Sequence, residues 1–329
     1  MLPYLLTTLS LPLFVSCSLP ILTFPGPYSA PRSFQLQEEI IGSKFYDAFN
    51  FETFKDPTHG RVNYVGQDVA RGNNLTYASD SKFFMRADST NVVKSGSRGR
   101  DSIRISSKQS YNDSVVVLEL THMPTGCGTW PAFWTVGRGV KWPQGGEIDI
   151  IEGINNQAFN LASLHTSPGC NMTVTPRTMT GVAESNECDG KKNNNQGCGV
   201  RFGDGSYGQG FNTGEGGWYA MRRTEEGISV WFWARSDFSV PKDVCYGEGG
   251  SVQPEFWGPP IADFPANNCD MRSHFGSHII VFDLTFCGDW AGNEYPSSGC
   301  PGTCVDFVDN NPKAFVEAYW EIDSLRTYV

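Results

Sequence analysis

The stretch "GGEIDIIEG", residues 145–153, decides the fold reading and the chemistry together. Acid and isoleucine alternate through Glu147, Ile148, Asp149 and Ile150, and the alternation then breaks step at Ile151 and Glu152. In an extended strand positions i and i+2 share a face and i+5 points to the other, so a regular pleat would hide Glu152 behind the sheet. A β-bulge restores the phase, because one extra residue lets two oppose one on the neighbouring strand. With a bulge at Ile150–Ile151, the three acids face one side and the two isoleucines fill the core below.

That arrangement has a chemical meaning. Four strand steps separate the Glu147 and Glu152 backbones by ~13 Å, and two glutamates leaning together remove ~8 Å of it. The remainder is near the ~5–5.5 Å between the carboxyls of retaining glycosidases, and below the ~6.5–9.5 Å of inverting ones. Asp149 between them is a third negative charge, which raises the proton affinity of a neighbour and lets one carboxyl stay protonated while another ionises. The competing readings are a structural calcium site, which strand-borne acids without loop carbonyls serve poorly, and a solvated acidic face. Gly145, Gly146 and Gly153 around the cluster suit close approach of a ligand better than plain exposure.

Aromatic residues extend the case. The chain has nine Trp. Trp134 and Trp142 bracket the approach to the acids and Trp290 sits in the loop "CGDWAG", where indole faces can stack on the C–H face of a pyranose. Trp130, Trp218, Trp231, Trp233 and Trp320 read as core. His165, in "ASLHTS", falls on the next strand within reach of the cluster. No G-x-S-x-G, HExxH or phosphate-cradling glycine loop is present, so serine hydrolase, zincin and nucleotide chemistry have no support.

The rest of the 329 residues fits this picture. Alternating segments "SIRISS", "SVVVLELTH", "GEIDIIE", "NLASLHT", "GISVWFWAR", "HIIVFDLTF" and "AYWEIDSLRTYV" read as strands, with long Gly/Asn/Cys loops such as 167–218 between them. A short helix is expected at "NPKAFVEAYW", with Asn310 or Asn311 capping it and Pro312 in its first turn. The expected fold is all-β: a jelly-roll sandwich of two antiparallel sheets, with a substrate cleft on the concave face. A pair of immunoglobulin-like domains is the alternative.

Residues 1–18 read as a secretory signal with cleavage near Cys17 or Ser18, although no Lys or Arg precedes the apolar run, and a signal anchor is the alternative. Residues 19–35, rich in Pro and Ser, read as a disordered leader, and residues 36–329 as one domain, with the ordered chain starting near Phe34. Ten Cys without a CxxC pair point to disulfides in an oxidising compartment, and Cys245 is the candidate left unpaired after cleavage. Sequons at Asn74, Asn112 and Asn171 suit a secreted surface. A net charge of −10 would repel nucleic acid and anionic lipid, so the expected partner is a neutral polymer, with no nucleic acid or membrane involved, and the protein is expected to be a monomer.

At these residues the chain resembles glycoside hydrolase family 16, whose bulged branch carries E-x-D-x-x-E, matched here by "EIDIIE". The similarity extends to fungal laminarinase-like endo-1,3(4)-β-glucanases through "DPTHGRVNYV", "GCGTWPAFW", "GGWYAMRRT", "LTFCGDWAG" and "GCPGTCVDFV", over residues 40–329. The resemblance implies Glu147 as nucleophile, Glu152 as general acid/base and Asp149 as the assisting carboxylate, with His165 hydrogen-bonded within the group. It also implies Trp134 and Trp142 on the donor side, Trp290 flanking the cleft, Arg104 and Asn155 as sugar contacts, and no metal or cofactor. A transglycosylase on the same scaffold, or a non-catalytic β-glucan-binding protein, are the rival readings.

Overall fold

In the computed structural model, residues 32–173 and 176–329 are described. All seven alternating segments are strands: Arg104–Ser107, Ser114–His122, Glu147–Glu152, Phe159–His165, Gly227–Ala234, His278–Phe286 and Tyr319–Tyr328. They fall into two large antiparallel sheets. The eight-stranded sheet runs, in spatial order, Val182–Ala183, Cys198–Asp204, Phe159–His165, Glu147–Glu152, Thr129–Gly137, His278–Phe286, Arg104–Ser107 and Phe49–Phe51. The nine-stranded sheet is centred on Tyr319–Tyr328, Ser114–His122, Gly217–Thr224 and Gly227–Ala234. Residues 32–329 form one unit, which excludes the two-domain alternative.

The main core lies where the inward faces of the two sheets meet. Ile148, Ile150, Ile151, Phe133, Leu164 and Phe282 from one sheet join Leu118, Tyr219, Val230 and Trp320 from the other, all nearly free of solvent. A second cluster, built on Trp218, Trp231, Trp233 and Trp257, covers the other face of the nine-stranded sheet. The burial expected for Trp218, Trp231, Trp233 and Trp320 is therefore observed.

The leader boundary moves by two residues. Phe34 and Gln35 belong to the strand Phe34–Ile40, where they pair with Val252 and Ser251, because Phe34 supplies an apolar side chain to the second cluster. The signal and residues 19–31 of the leader lie outside the described residues. The stretch 167–218 holds a seven-residue strand, Cys198–Asp204, and a helix, Gly208–Thr213, in place of one long loop. The expected C-terminal helix is one 3-10 turn, Pro312–Phe315, preceded by the helix Cys304–Asn310. Asn311 is its cap residue, yet its amide donates to the Phe307 carbonyl and makes no capping bond.

Four disulfides join Cys127 to Cys300, Cys170 to Cys269, Cys188 to Cys198 and Cys287 to Cys304, and Cys245 is free. They tie segments up to 173 residues apart in the chain. Among the described residues no helix is long and apolar enough to cross a membrane. The sequon residues Asn74 and Asn112 are exposed.

Candidate active site

The bulge is present where the phase argument requires it. Pairing of the acid strand with Thr129–Gly137 runs Glu147↔Val136, Ile148↔Thr135 and Asp149↔Trp134, then shifts register and resumes at Ile151↔Phe133 and Glu152↔Ala132. Ile150 is the extra residue. Ladder pairing on the other side stops at Asp149↔Ser163, and the buried Asn160 takes over. Its amide nitrogen donates to the Ile150 carbonyl (2.8 Å) and its oxygen accepts from the Glu152 N–H (2.9 Å). One side chain thus satisfies both backbone groups that the bulge takes out of register, which a buried ladder otherwise requires of its neighbours.

Glu147, Asp149 and Glu152 therefore share the face turned away from the core, and each has its own partners. The indole N–H of Trp142 donates to Glu147 (3.1 Å), and that of Trp130 donates to Glu152 (2.8 Å). His165 pairs directly opposite Glu147, with its Nε2 at 3.3 Å from Asp149 Oδ2 in an ion pair without hydrogen-bond alignment. Its Nδ1 lies 2.8 Å from Asn195 Oδ1. Burial, and then the charge of Asp149, push Glu147 up to about 8. The same two causes, in the same order, push Glu152 well above the usual carboxylate range. Burial opposes charge on His165, but the Asp149 contact and the glutamates outweigh it and raise the imidazole to about 10.

One cation among three acids is the electrostatic logic of the cluster. Donor atoms of Glu147, Asp149 and His165 all lie within 4.8 Å of one another. Two carboxylates and an imidazole at this spacing are the parts of an acid–base cluster.

The other expected residues lie in two groups. Trp134 donates to Asp283 (3.2 Å), and Arg104 pairs with the same oxygen (3.2 Å) while lying over the Trp134 ring at 5.0 Å. Trp290, on the single π-helical turn Gly288–Gly292, meets Trp130 edge-on at 5.7 Å. Trp142 is 40% exposed, its ring open to a ligand. Asn155 is corrected: it is buried, its oxygen accepts from Gly128 N–H (2.8 Å) and its amide donates to the Ala291 carbonyl (3.1 Å). Buried and with both amide atoms bonded to backbone, it fixes the Trp290 turn.

Trp130 is also corrected, from core to site, since its N–H holds Glu152. The signal was available: Trp130 and Trp134 are four apart on one strand and so share a face. Asp283 was missed, although a lone acid in the apolar "HIIVFDLTF" invites a question. Burial lifts it to about 7 against the pull of Arg104. Asn160 and Asn195 gave no sign in the sequence. A depression of about 570 Å³, lined by His59, Arg98, Asp289 and Asn293, includes none of Glu147, Asp149 and Glu152.

Comparison with known proteins decides the family. The model of an XgeA-like catalytic GH16 domain matches residues 49–328. The chain belongs to glycoside hydrolase family 16. It is 45% identical over 306 residues to a probable glycosidase of Schizosaccharomyces pombe, covering 92% of this chain and 71% of that one. It is 40% identical to a probable endo-1,3(4)-β-glucanase of Aspergillus fumigatus, covering 90% of this chain but only 46% of the relative. Among solved structures it resembles Laminarinase 16A of Phanerochaete chrysosporium, determined with two β-glucans in its donor and acceptor sites, at 48% identity and a TM-score of 0.88, over 91% of this chain and all of that one. An elongating family 16 β-1,3-glucosyltransferase is 41% identical with a TM-score of 0.83, over 90% of this chain and all of that one. The protein is a glycoside hydrolase with the jelly-roll fold of this family.

Proposed function

We propose that this family 16 enzyme is a secreted, retaining endo-β-glucanase acting on 1,3- and mixed 1,3/1,4-linked glucan. The observation that carries the reading is the bulge at Ile150, which sets Glu147 and Glu152 on one open face with Asp149 between them. Glu152, kept protonated by burial and the neighbouring charge, donates to the departing glycosidic oxygen. Glu147 attacks the anomeric carbon as a carboxylate; burial and Asp149 oppose that charge, and His165, the Trp142 N–H and Arg104 offset them in part. The glycosyl–Glu147 ester then meets water, and Glu152, now a base, takes its proton, so configuration is retained.

Trp134, Trp142 and Trp290 are the stacking surfaces for successive sugars, and a neutral glucan suits a molecule of net charge −10. Arg104, ordered by Asp283, is a hydroxyl donor at the Trp134 end. The four disulfides support secretion. The reading is tested by incubating the protein with laminarin, lichenan and cellulose and resolving the products. Short oligosaccharides from the first two are expected. Cleavage confined to cellulose refutes the substrate, and products longer than the input favour the transfer reaction of the similar glucosyltransferase.

A further inference from the structure

The loop closed by the Cys188–Cys198 disulfide lies against two residues of the site. A Cβ added at Gly197, whose φ is +67°, would come within 2.7 Å of the His165 ring. One added at Gly190 would come within 2.8 Å of the Trp142 ring. Between these two glycines, Asn193, Asn194 and Asn195 all have left-handed backbone, with φ of 48°, 54° and 62°. Such a run is rare even for asparagine, and here it turns the Asn195 amide back onto His165 Nδ1 at 2.8 Å. Backbone bonds hold the loop to the strand end: Thr166 N–H to Cys188 O (2.8 Å) and Gly190 N–H to Thr166 O (3.0 Å).

A carbonyl oxygen can only accept, so Asn195 requires a proton on Nδ1. Nε2 faces the Asp149 carboxylate, which is also an acceptor. With an acceptor at Nδ1 and a carboxylate 3.3 Å from Nε2, the imidazolium is the form that both neighbours favour.

We propose that Asn195 is a positioning residue of this enzyme: by accepting Nδ1–H it fixes the plane and protonation of His165, so that Nε2 stays in charge contact with Asp149 beside the reacting carboxyls. The proposal rests on the assignment of Glu147 and Glu152 above. Charged groups facing His165 are Glu147, Asp149 and Glu152 from the acid strand. The loop contributes the buried Asp189 and the exposed Lys191 and Lys192, with Lys192 paired to Glu187.

The test uses the full protein and two variants, Asn195→Ala and Asn195→Asp, with long-range ¹H–¹⁵N spectra of the His165 ring across pH and kcat/KM for laminarin over the same range. In the parent both ring nitrogens carry protons at pH 7. Losing a hydrogen bond to a charged donor in Asn195→Ala should lower the His165 midpoint by about one pH unit and cut kcat about tenfold with KM less than doubled. Asn195→Asp, nearly the same in shape, should raise that midpoint, and its added negative charge should move the acidic limb of kcat/KM to higher pH. A His165 titration that is the same in all three proteins overturns the proposal. Since the spectra need no substrate, a moved titration in a protein that leaves laminarin intact refutes the substrate reading while the positioning role stands.

Discussion

Substituting Trp130 by Phe isolates a single bond of the site. Phe keeps most of the ring area that meets Trp290 and removes only the N–H that donates to Glu152 at 2.8 Å. A hydrogen bond to a charged acceptor is worth about 1.5–3 kcal/mol, and a protonated carboxyl still accepts part of it, so roughly 1–1.5 kcal/mol separates the two protonation states. At 1.36 kcal/mol per pH unit, that is about one pH unit. The sign follows from which form the bond favours. The indole stabilises the carboxylate, so its removal lifts Glu152 further, and the acid stays competent to a higher pH. The basic limb of kcat/KM for laminarin, measured from pH 4 to 9, should therefore move upward by about one unit while the acidic limb stays. A basic limb that coincides with the parent's, or falls, refutes the assignment of Glu152 as the proton donor.

Glu147→Ala should abolish turnover, and azide should restore it with a glycosyl azide as product; near-normal rates without azide would remove Glu147 from its role. Glu147 binds its proton more tightly folded than unfolded, so the stability it lends is fully present below its ordinary value and is lost as pH rises towards about 8. Glu147→Gln removes that loss, and its melting temperature relative to the parent should climb by about 2–6 °C between pH 5 and 8, some 1–2 kcal/mol for a chain of this size; a constant difference across that range would contradict the cause given for the shift. Asn160→Ala leaves the Ile150 carbonyl and the Glu152 N–H unpaired in a buried place, at about 1–3 kcal/mol each. It should lower denaturant stability by that order and cut kcat more than tenfold as Glu152 loses its aim, and an active enzyme melting like the parent would show that the bulge needs no such brace.

The seven strands were legible because each is a short run rich in β-branched and aromatic residues bounded by turn residues, some alternating and some, such as Ser114–His122 and His278–Phe286, buried nearly throughout, and the acid strand announced its own irregularity. Two central strands were not. Thr129–Gly137 carries Pro131, which argues against a central strand, yet Pro131 lies beyond Glu152↔Ala132, where the acid strand no longer needs its N–H. Gly217–Thr224 mixes two arginines into its run, and Arg223 is buried with its charge answered by the Phe275 and Gly276 carbonyls. Of the site, the three acids were fixed by spacing alone, since bulge and strand geometry leave them few other arrangements. Asn195 and Asp283 act through contacts with partners 30 or more residues away, such as His165 and Trp134, and Asn160 reaches back across the turn between two strands, and no local pattern encodes such pairs. Asn155 shows the converse, where a motif position named the right residue and only packing disclosed that it serves the loop.

Cys245 is unpaired and partly accessible, and it packs against the cluster covering the nine-stranded sheet, while the acids open from the far face of the other sheet. About 10 Å of interior separates two such packed layers. A maleimide or gold surface coupled at that thiol would therefore hold the enzyme by its back, leaving the groove turned to the bulk, where a polymer too long to diffuse into a matrix could still be threaded and cut.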